Sequence, residues 1–195
     1  RQGKYIKTVK VDDVDEADLA ALMVGRDVNF KVEKKEQEPG AEVLSVKNLK
    51  ARDYRDVEIL KGFDISVRAG EIVGLAGVDG NGQTELVEIL SGLKKADSGE
   101  ITMNGKDIFN KTPREIFDKG LSSIPADRQK HGLVLEFSIE DDLILQHYNE
   151  APYAKGFMLN RKEIHRHATE MMEKFDIRPR GAETRPAGSL SGGNQ

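Results

Sequence analysis

A glycine-rich segment, GVDGNGQT over residues 77–84, constrains the fold more than any other feature of the sequence. It directly follows Ile72–Ala76, an unbroken apolar run typical of a strand that is covered on both faces of a sheet. It directly precedes a stretch over 84–93 in which leucine and isoleucine recur at helical spacing. A strand, a glycine loop and a helix in this order can turn backbone N–H groups around a phosphate, and the helix N-terminus adds partial positive charge. The segment therefore predicts a phosphate-binding loop within an α/β fold.

Two phosphate-loop patterns can be tested against this segment. The dinucleotide pattern needs a third glycine at position 85, where Glu85 stands. The P-loop pattern, G-x-x-x-x-G-K-[ST], is met at Gly77, Gly82 and Thr84, whereas Gln83 occupies the position of the lysine. The Thr84 hydroxyl is placed to ligate a nucleotide-bound Mg²⁺. The segment therefore indicates a P-loop with one altered position.

The altered position removes a charge from the predicted site. A lysine brings a full positive charge to the β- and γ-phosphates, whereas Gln83 brings a neutral amide donor. Hydrogen bonds to charged groups contribute about 1.5–3 kcal/mol, and neutral ones contribute less. We therefore expect the loop to bind nucleotide with weak or absent catalysis. Two alternatives are a tight strand–helix turn without a ligand and a phosphate loop that no longer functions.

The composition excludes several classes of protein. With 30 Lys and Arg residues against 34 Asp and Glu residues, the net charge of −4 argues against a general nucleic-acid binder, which usually carries a basic excess. The chain has no cysteine, which excludes disulfides and thiolate metal sites. The longest apolar runs, such as Ile72–Ala76, are too short to cross a bilayer.

The first 30 residues carry a short strand pattern and a short helix pattern. Residues 4–11 alternate like a strand. The helix pattern begins at Asp13, with Glu16 as its capping-box partner, and ends at Gly25. One strand and one helix bury little apolar surface alone, so residues 1–30 are interpreted as the tail of an earlier domain.

A charged segment, KVEKKEQEPGAE over 31–42, separates this tail from a second domain that begins near Val43. Its low apolar content predicts a solvated linker. The patterns after it predict two antiparallel strands, a hairpin, a helix start and a second short buried strand, over Val43–Val46, Ile59–Val67, Glu100–Ile108, Thr112–Glu115 and Leu121–Ile124. Ser138 and Asn160 are placed to cap two later helices, the second with Ile164, Ala168, Met171 and Phe175 as its apolar stripe. The order predicts an α/β core followed by a helical segment.

A second motif, LSGGNQ, occupies residues 190–195. Together with the glycine loop it resembles the ATP-binding subunits of ABC transporters, in which the loop is the Walker A motif and LSGGNQ is the signature motif. The resemblance covers Val43–Gln195 almost completely. It implies an α/β fold, a P-loop NTPase of the ABC ATPase type with an antiparallel β subdomain and a helical subdomain over about 138–195, incomplete at the signature motif.

Three further segments resemble one branch of that family. They are GLAGVDGNGQTEL, the stretch IPADR over 124–128 and HGLV over 131–134, and they are similar to the second half of importer ATPases for simple sugars and nucleosides. Two ATPase domains are fused in one chain in that branch, and the glutamine-for-lysine loop looks most like the nucleoside-uptake type. The resemblance makes 1–30 the end of the first ATP-binding domain, 31–42 the linker and 43–195 the second domain.

The resemblance also implies ligands and site residues. It assigns phosphate binding to Gly77, Asp79, Gly80, Asn81, Gly82, Gln83 and Thr84, with ATP and Mg²⁺ as the cofactors and Thr84 on the Mg²⁺. Tyr54 lies where the family places an aromatic that stacks on adenine, although a solvent-facing turn tyrosine is an equal alternative. The family's Q-loop glutamine falls near Ala126, and the nearest glutamine here is Gln129. Asp127 and Arg128 are interpreted as a local charge pair.

The resemblance gives the signature motif, Leu190, Ser191, Gly192, Gly193, Asn194 and Gln195, a role at another domain. In the family the serine hydroxyl and the glycine amides contact the γ-phosphate that is bound at the opposite Walker A loop. An altered loop beside an intact signature motif therefore predicts an asymmetric protein with one active and one regulatory site. The catalytic glutamate, the Walker B aspartate and the switch histidine are expected after Gln195, so we expect no catalytic residue and no independent ATPase activity within 1–195.

The implied partners are the first ATP-binding domain of the same chain, transmembrane permease subunits and, indirectly, an extracellular or periplasmic substrate-binding protein. The implied location is the cytoplasmic face of the membrane, with no nucleic acid involved. Two alternatives remain: a non-catalytic nucleotide-sensing module, and a soluble ABC ATPase that is not linked to a permease. The sequence does not distinguish nucleosides from sugars as the substrate.

Overall fold

The computed structural model describes residues 3–25 and 37–195. Its largest sheet is antiparallel throughout and has the order β2-β1-β3-β4. The strands are β1 (Glu42–Arg52), β2 (Glu58–Arg68), β3 (Ser98–Met103) and β4 (Lys106–Asp107). The predicted antiparallel strands and hairpin are therefore confirmed, and β1 and β2 are longer than the pattern indicated. The mixed helix and antiparallel-sheet content agrees with the predicted fold class.

The main hydrophobic core lies between this sheet and two helices, α2 (Gln83–Leu90) and α3 (Pro113–Asp118). Buried side chains come from the strands, from both helices and from the segment between β4 and α3: Val46, Leu49, Ile101, Leu86, Ile89, Ile108 and Ile116. Each such aliphatic side chain contributes about 1.5–3 kcal/mol through burial. The core holds α2, and with it the end of the glycine loop, against the sheet.

The hairpin turn and the cap of α3 form as predicted, whereas the helix after the glycine loop is shorter than predicted. The β3–β4 turn places Asn104 and Gly105 at φ values of 50° and 73°, which a two-residue hairpin turn requires. Helix α3 begins with a reciprocal capping box between Thr112 and Glu115. The helix after the glycine loop ends at Leu90, so Leu93 lies outside it and is exposed, contrary to the helical spacing over 84–93.

The C-terminal part contains α4 (Arg128–His131), α5 (Ile139–Leu143), the hairpin β5 (Ala154–Lys155) and β6 (Met158–Leu159), α6 (Arg161–Lys174) and a 3₁₀ turn at Ala187–Ser189. Ser138 and Asn160 cap α5 and α6, as predicted. A second, smaller core joins Ile139 and Met172 to Ala187 and Leu190. In α6 it is Met172 that is buried, whereas Phe175 is exposed because it follows the last turn of the helix; its placement in the apolar stripe was wrong.

The N-terminal segment differs from the predicted strand and helix. Residues 4–10 are in no strand, and Val11–Asp13 form a 3₁₀ turn. Helix α1 (Glu16–Val24) is capped by Asp15 with Asp18, because Asp13 is committed to that turn. Gly25 ends α1 in the left-handed conformation, as predicted. Half of the predicted linker over 31–42, residues 31–36, lies outside the described residues.

The two predicted buried strands, Ile72–Ala76 and Leu121–Ile124, do not form. Ile72 is 79% exposed and Ile124 is 96% exposed. A central strand is stabilised by ladders to neighbours on both sides and by cover on both faces. Within residues 3–25 and 37–195 neither segment has a partner strand. Most of the apolar side chains in the two segments therefore stay exposed, and of these Leu121 alone packs partly against the main core.

Candidate functional site

The glycine loop is closed by its own side-chain amides. The Val78 carbonyl accepts hydrogen bonds from Asn81 Nδ2 at 3.0 Å and from Gln83 Nε2 at 3.3 Å. The Gly80 N–H donates to Asp79 Oδ1 at 3.0 Å. These contacts order the loop without any formal positive charge from its side chains.

Two glycines permit this arrangement. A side chain at Gly77 would collide with the Gln83 amide, so the glutamine lies directly over the first glycine of the loop. Gly82 has a φ of 97°, and a Cβ there would lie 2.8 Å from Leu60 Cδ2 on β2. The close approach of Gly82 to Leu60 packs the end of the loop against the sheet. The Gly82 carbonyl accepts a hydrogen bond from the Leu86 N–H in the first turn of α2.

The donors of this loop suit a phosphate chain. The backbone N–H groups of Val78, Asp79 and Asn81 are in exposed residues and have no acceptor among the residues that the structure describes. Successive free N–H groups beside a helix start bind anions. Thr84 is exposed in the first turn of α2 and offers a hydroxyl oxygen, the ligand type that Mg²⁺ prefers. In the described part of the chain, no group of three or more His, Asp or Glu residues is arranged to hold a metal.

Tyr54 lies in a tight turn between β1 and β2, and its ring is 89% exposed. The turn is ordered by the buried Asp53 carboxylate, which accepts from the Arg55 guanidinium at 2.6 and 2.8 Å and from two backbone N–H groups. Burial acts to raise the pKa of Asp53, but the hydrogen bonds from Arg55 and from the Val57 N–H hold it below its ordinary value. The Arg55 guanidinium lies over one face of the Tyr54 ring at 5.4 Å from its centroid, and the residue stays largely exposed.

The signature loop is held by its last two side chains. Asn194 Oδ1 accepts from the Arg178 N–H at 2.7 Å, and Asn194 Nδ2 donates to Ser191 Oγ at 2.9 Å. Gln195 Nε2 donates to the Leu190 carbonyl at 3.1 Å. The Ser191 oxygen accepts this hydrogen bond, and its hydroxyl hydrogen has no acceptor among the residues that the structure describes, so it is available to an outside acceptor.

The same loop exposes three unused backbone donors. The N–H groups of Ser191, Gly192 and Gly193 are in exposed residues, and none has an acceptor within 3–25 and 37–195. No atom lies within 4 Å of a Cβ built at Gly193, so space in front of this glycine is open. Three N–H groups and a hydroxyl without acceptors among the described residues are a donor set of the kind that can bind an anion. No hydrogen bond joins it to the glycine loop among the described residues.

Helix α4 contacts the signature loop, a feature that sequence patterns did not indicate. Gln129 Nε2 donates to Gln195 Oε1 at 2.9 Å, although the two residues are 66 positions apart. The Arg128 Nη2 atom lies 2.7 Å from the point where a Cβ at Gly192 would stand.

The interpretation of Asp127 and Arg128 as a charge pair was wrong, because the Asp127 carboxylate caps α4 by accepting from the Lys130 N–H at 3.0 Å.

A cavity of about 100 Å³ lies beneath the signature loop and is lined largely by Leu133, Ile139, Leu143, Ile177 and Leu190. One charged residue, Asp142, also lines it. Its Oδ1 accepts from the Val134 N–H at 3.1 Å, and its buried Oδ2 has no partner. Burial, with a smaller contribution from the charge of Asp141, raises the pKa of Asp142.

Asp142→Asn is expected to raise the free energy of unfolding by about 1 kcal/mol at pH 7, because it removes a buried charge and keeps the acceptor for Val134. A raised native pKa means that ionised Asp142 destabilises the fold above that pKa. The gain should therefore shrink as the pH falls and vanish below the ordinary aspartate value of 3.8. Urea unfolding over this pH range measures it.

The matched control is Asp141→Asn. The Asp141 carboxylate accepts a hydrogen bond from Ser138 Oγ at 2.6 Å and pairs with Arg161. Burial acts to raise the pKa of Asp141, but the hydrogen bonds from Ser138 and Arg161 outweigh burial and lower the pKa. The control should therefore lose stability at pH 7, the opposite sign. A loss of stability for Asp142→Asn at neutral pH would contradict the assignment of Asp142 as an uncompensated charge.

Comparison with known proteins places the chain in a family. The family model for "ABC transporter" matches residues 60–195. The chain is similar, over its whole length, to the guanosine import ATP-binding protein NupO of Bacillus subtilis (49% identical) and the nucleoside import ATP-binding protein NupA of Lactococcus lactis (47%). It is 39% identical to the ribose import ATP-binding protein RbsA of Corynebacterium glutamicum. The chain spans only 36–38% of the length of these relatives.

Solved structures agree with this assignment. An ATP-binding cassette of an ABC transporter in its ADP conformation is 26% identical, with a TM-score of 0.58, over 78% of this chain and 60% of the other. A nucleotide-free cassette is 27% identical, with a TM-score of 0.61 and the same coverage. Within the residues that the structure describes, no helix is long and apolar enough to span a membrane. Because the family model matches well over half of the chain and the fold is that of an ATP-binding cassette, the chain belongs to the ABC transporter family as part of an ATPase domain.

Proposed function

We propose that the chain belongs to the ATPase subunit of an importer for nucleosides or simple sugars and forms most of a second, regulatory ATP-binding half. In this proposal 1–30 ends the first ATP-binding domain, 31–42 is the linker, and 43–195 is the second domain up to the signature motif. The names of the relatives support an import function, and the two nucleoside relatives are more similar than the ribose relative. Nucleosides are therefore the proposed substrate.

The observation that carries the regulatory role is the position of Gln83. Its neutral amide lies over Gly77 and bonds to the Val78 carbonyl, where a P-loop lysine would bring a full charge to the phosphates. The free N–H groups of Val78, Asp79 and Asn81 supply phosphate binding, and Thr84 would hold the Mg²⁺ that screens the phosphate charge. Without the lysine the loop binds nucleotide but supports little hydrolysis.

The signature loop serves the other half. The Ser191 hydroxyl and the N–H groups of Gly192 and Gly193 have no acceptor among the described residues, and the space beside Gly193 is open, as binding of a phosphate from outside this domain requires. The isolated chain is then nearly inactive, while the protein with two ATP-binding halves hydrolyses ATP at the other loop. Tyr54 is proposed to stack on the adenine with the ring face that Arg55 leaves uncovered.

The proposed partners are permease subunits in the membrane and, through them, a substrate-binding protein outside it. The ATPase subunit lies on the cytoplasmic side, and the segment 127–146 is proposed to face the permease. Nucleic acid is not proposed as a partner.

Uptake of labelled nucleosides tests this function. Cells in which the gene is deleted are expected to lose most high-affinity uptake of guanosine, and to regain it when the gene is restored, whereas uptake of labelled ribose should change little. Loss of ribose uptake alone would show that the substrate is a simple sugar and not a nucleoside. Unchanged uptake of both solutes would overturn the import function.

A further inference from the structure

An unpaired arginine lies against the signature loop. The Arg128 Nη2 atom is 2.7 Å from the position of a Cβ at Gly192, so the guanidinium lies directly against this glycine, and a side chain at 192 would displace it. Arg128 is an exposed residue, and its guanidinium has no hydrogen-bond or ion-pair partner in 3–25 and 37–195. Its neighbouring acid, Asp127, is occupied as the cap of α4.

A second arginine near the loop provides a contrast. Arg178 also meets the signature motif, since its N–H donates to Asn194 Oδ1 at 2.7 Å. Its guanidinium, however, pairs with Asp176, with nitrogen–oxygen distances of 2.9 and 3.1 Å. The charge of Arg178 is therefore compensated within the chain, whereas the charge of Arg128 is not.

The helix that carries Arg128 is joined to the signature loop through the neighbouring residue. Gln129, the next residue, donates to Gln195 Oε1 at 2.9 Å, and Gln195 in turn donates to the Leu190 carbonyl. The first turn of α4 and the signature loop thus hold each other through side chains. Arg128 has no other described contact that would explain why a cation is placed at Gly192.

The loop and the guanidinium have complementary chemistry. Ser191, Gly192 and Gly193 offer one hydroxyl and three N–H donors but no formal charge. A planar guanidinium adds a full positive charge and paired donors that match phosphate oxygens. Together they form a donor set suited to a terminal phosphate, which carries more charge than neutral donors alone can compensate.

We propose that Arg128 is a further anion-contacting residue of the signature loop, which binds the terminal phosphate of the nucleotide that the opposite half presents. This inference rests on the proposed function, because it needs a second ATP-binding half. It assigns Arg128 a role toward the nucleotide across the interface and none toward the glycine loop of its own domain.

The test uses the full-length protein with Arg128→Gln, Arg128→Lys and, as a matched control at the same loop, Arg178→Gln. Steady-state ATP hydrolysis is measured with kcat and KM separated, and thermal unfolding is recorded for each variant. Arg128→Gln is expected to lower kcat/KM about tenfold, the factor that loss of one charge-assisted hydrogen bond produces. Arg128→Lys should recover part of this loss, and Arg178→Gln should stay within about twofold of the parent, because only the charge of Arg128 is free.

Two outcomes would overturn the inference. The first is equal loss in Arg128→Gln and Arg128→Lys with a matching drop in melting temperature, which would make Arg128 a purely structural residue. The second is unchanged kcat/KM in Arg128→Gln. Ser191→Arg distinguishes the proposals: if it abolishes hydrolysis while Arg128→Gln has no effect, only the role of Arg128 fails, and if Ser191→Arg itself has no effect, the proposed function fails.

Discussion

Ser191→Arg in the full-length protein is expected to lower kcat for ATP hydrolysis by at least about a hundredfold, the cost of losing a preorganised donor at a developing charge. The arginine would remove the hydroxyl whose hydrogen is free and would fill the open space in front of Gly193. Hydrolysis should fall even though the nucleotide is bound at the other half. Steady-state turnover and nucleotide binding, measured on the same preparation, separate the two effects.

The matched control is Ser66→Arg, the same change on an exposed position of β2. It should leave turnover within about twofold of the parent, since isolated surface substitutions have small effects. Normal hydrolysis by Ser191→Arg would contradict the proposal that this signature loop completes the active site of the opposite half.

Gln83→Lys is expected to bind ATP about tenfold more tightly than the parent at the glycine loop, because a charge-assisted hydrogen bond replaces a neutral one. The substitution also removes the amide that bonds to the Val78 carbonyl. Titration calorimetry with Mg²⁺–ATP on the chain 1–195 measures the affinity directly, since the other ATP-binding half is not in that chain. Hydrolysis by this chain should stay near background.

Gln146→Lys makes the same change in charge at an exposed position outside the loop and is the control for a general electrostatic effect. Its affinity should differ less than about twofold from the parent, because a distant surface charge is screened. Equal affinities of Gln83→Lys and the parent would contradict the role given to Gln83. Rapid ATP hydrolysis by the unmodified chain would contradict the regulatory assignment as a whole.

Local signals predicted the local structure well. The Asn104-Gly105 turn and the Thr112 and Asn160 caps depend on a few neighbouring residues, and each forms where the sequence indicates. The cap of α1 was placed two residues early because the pattern is degenerate there. Asp13 and Asp15 each have an acidic residue three positions on, and only the backbone conformation distinguishes them.

The predicted buried strands failed for a different reason. An apolar run such as Ile72–Ala76 becomes a central strand only when other strands pair with it. Its composition describes what it could bury, whereas its burial depends on chain segments far away in the sequence. In the described residues those partners are missing, and Ile72 remains 79% exposed.

In the candidate site too, local motifs could be predicted from the sequence, whereas contacts between distant residues could not. The glycine loop and the signature loop are contiguous motifs, so their residues could be selected from the sequence. The contact between Gln129 and Gln195 could not, because it joins side chains 66 positions apart. The role of Asp53 in ordering the turn at Tyr54 was missed as well, since an aspartate in a turn is common and its burial becomes visible only in three dimensions.

The amide of Gln83 is, in energetic terms, an internal competitor of the nucleotide. When it bonds to the Val78 carbonyl it occupies the mouth of the loop, so nucleotide binds only the fraction of molecules in which that bond is broken. A net hydrogen-bond energy of about 0.5–1.5 kcal/mol leaves roughly 7–30% of the molecules open. The apparent affinity is the intrinsic affinity multiplied by this open fraction, so it falls to roughly 7–30% of the intrinsic value. A partner that draws Gln83 away from Val78 would therefore tighten nucleotide binding severalfold without touching the nucleotide.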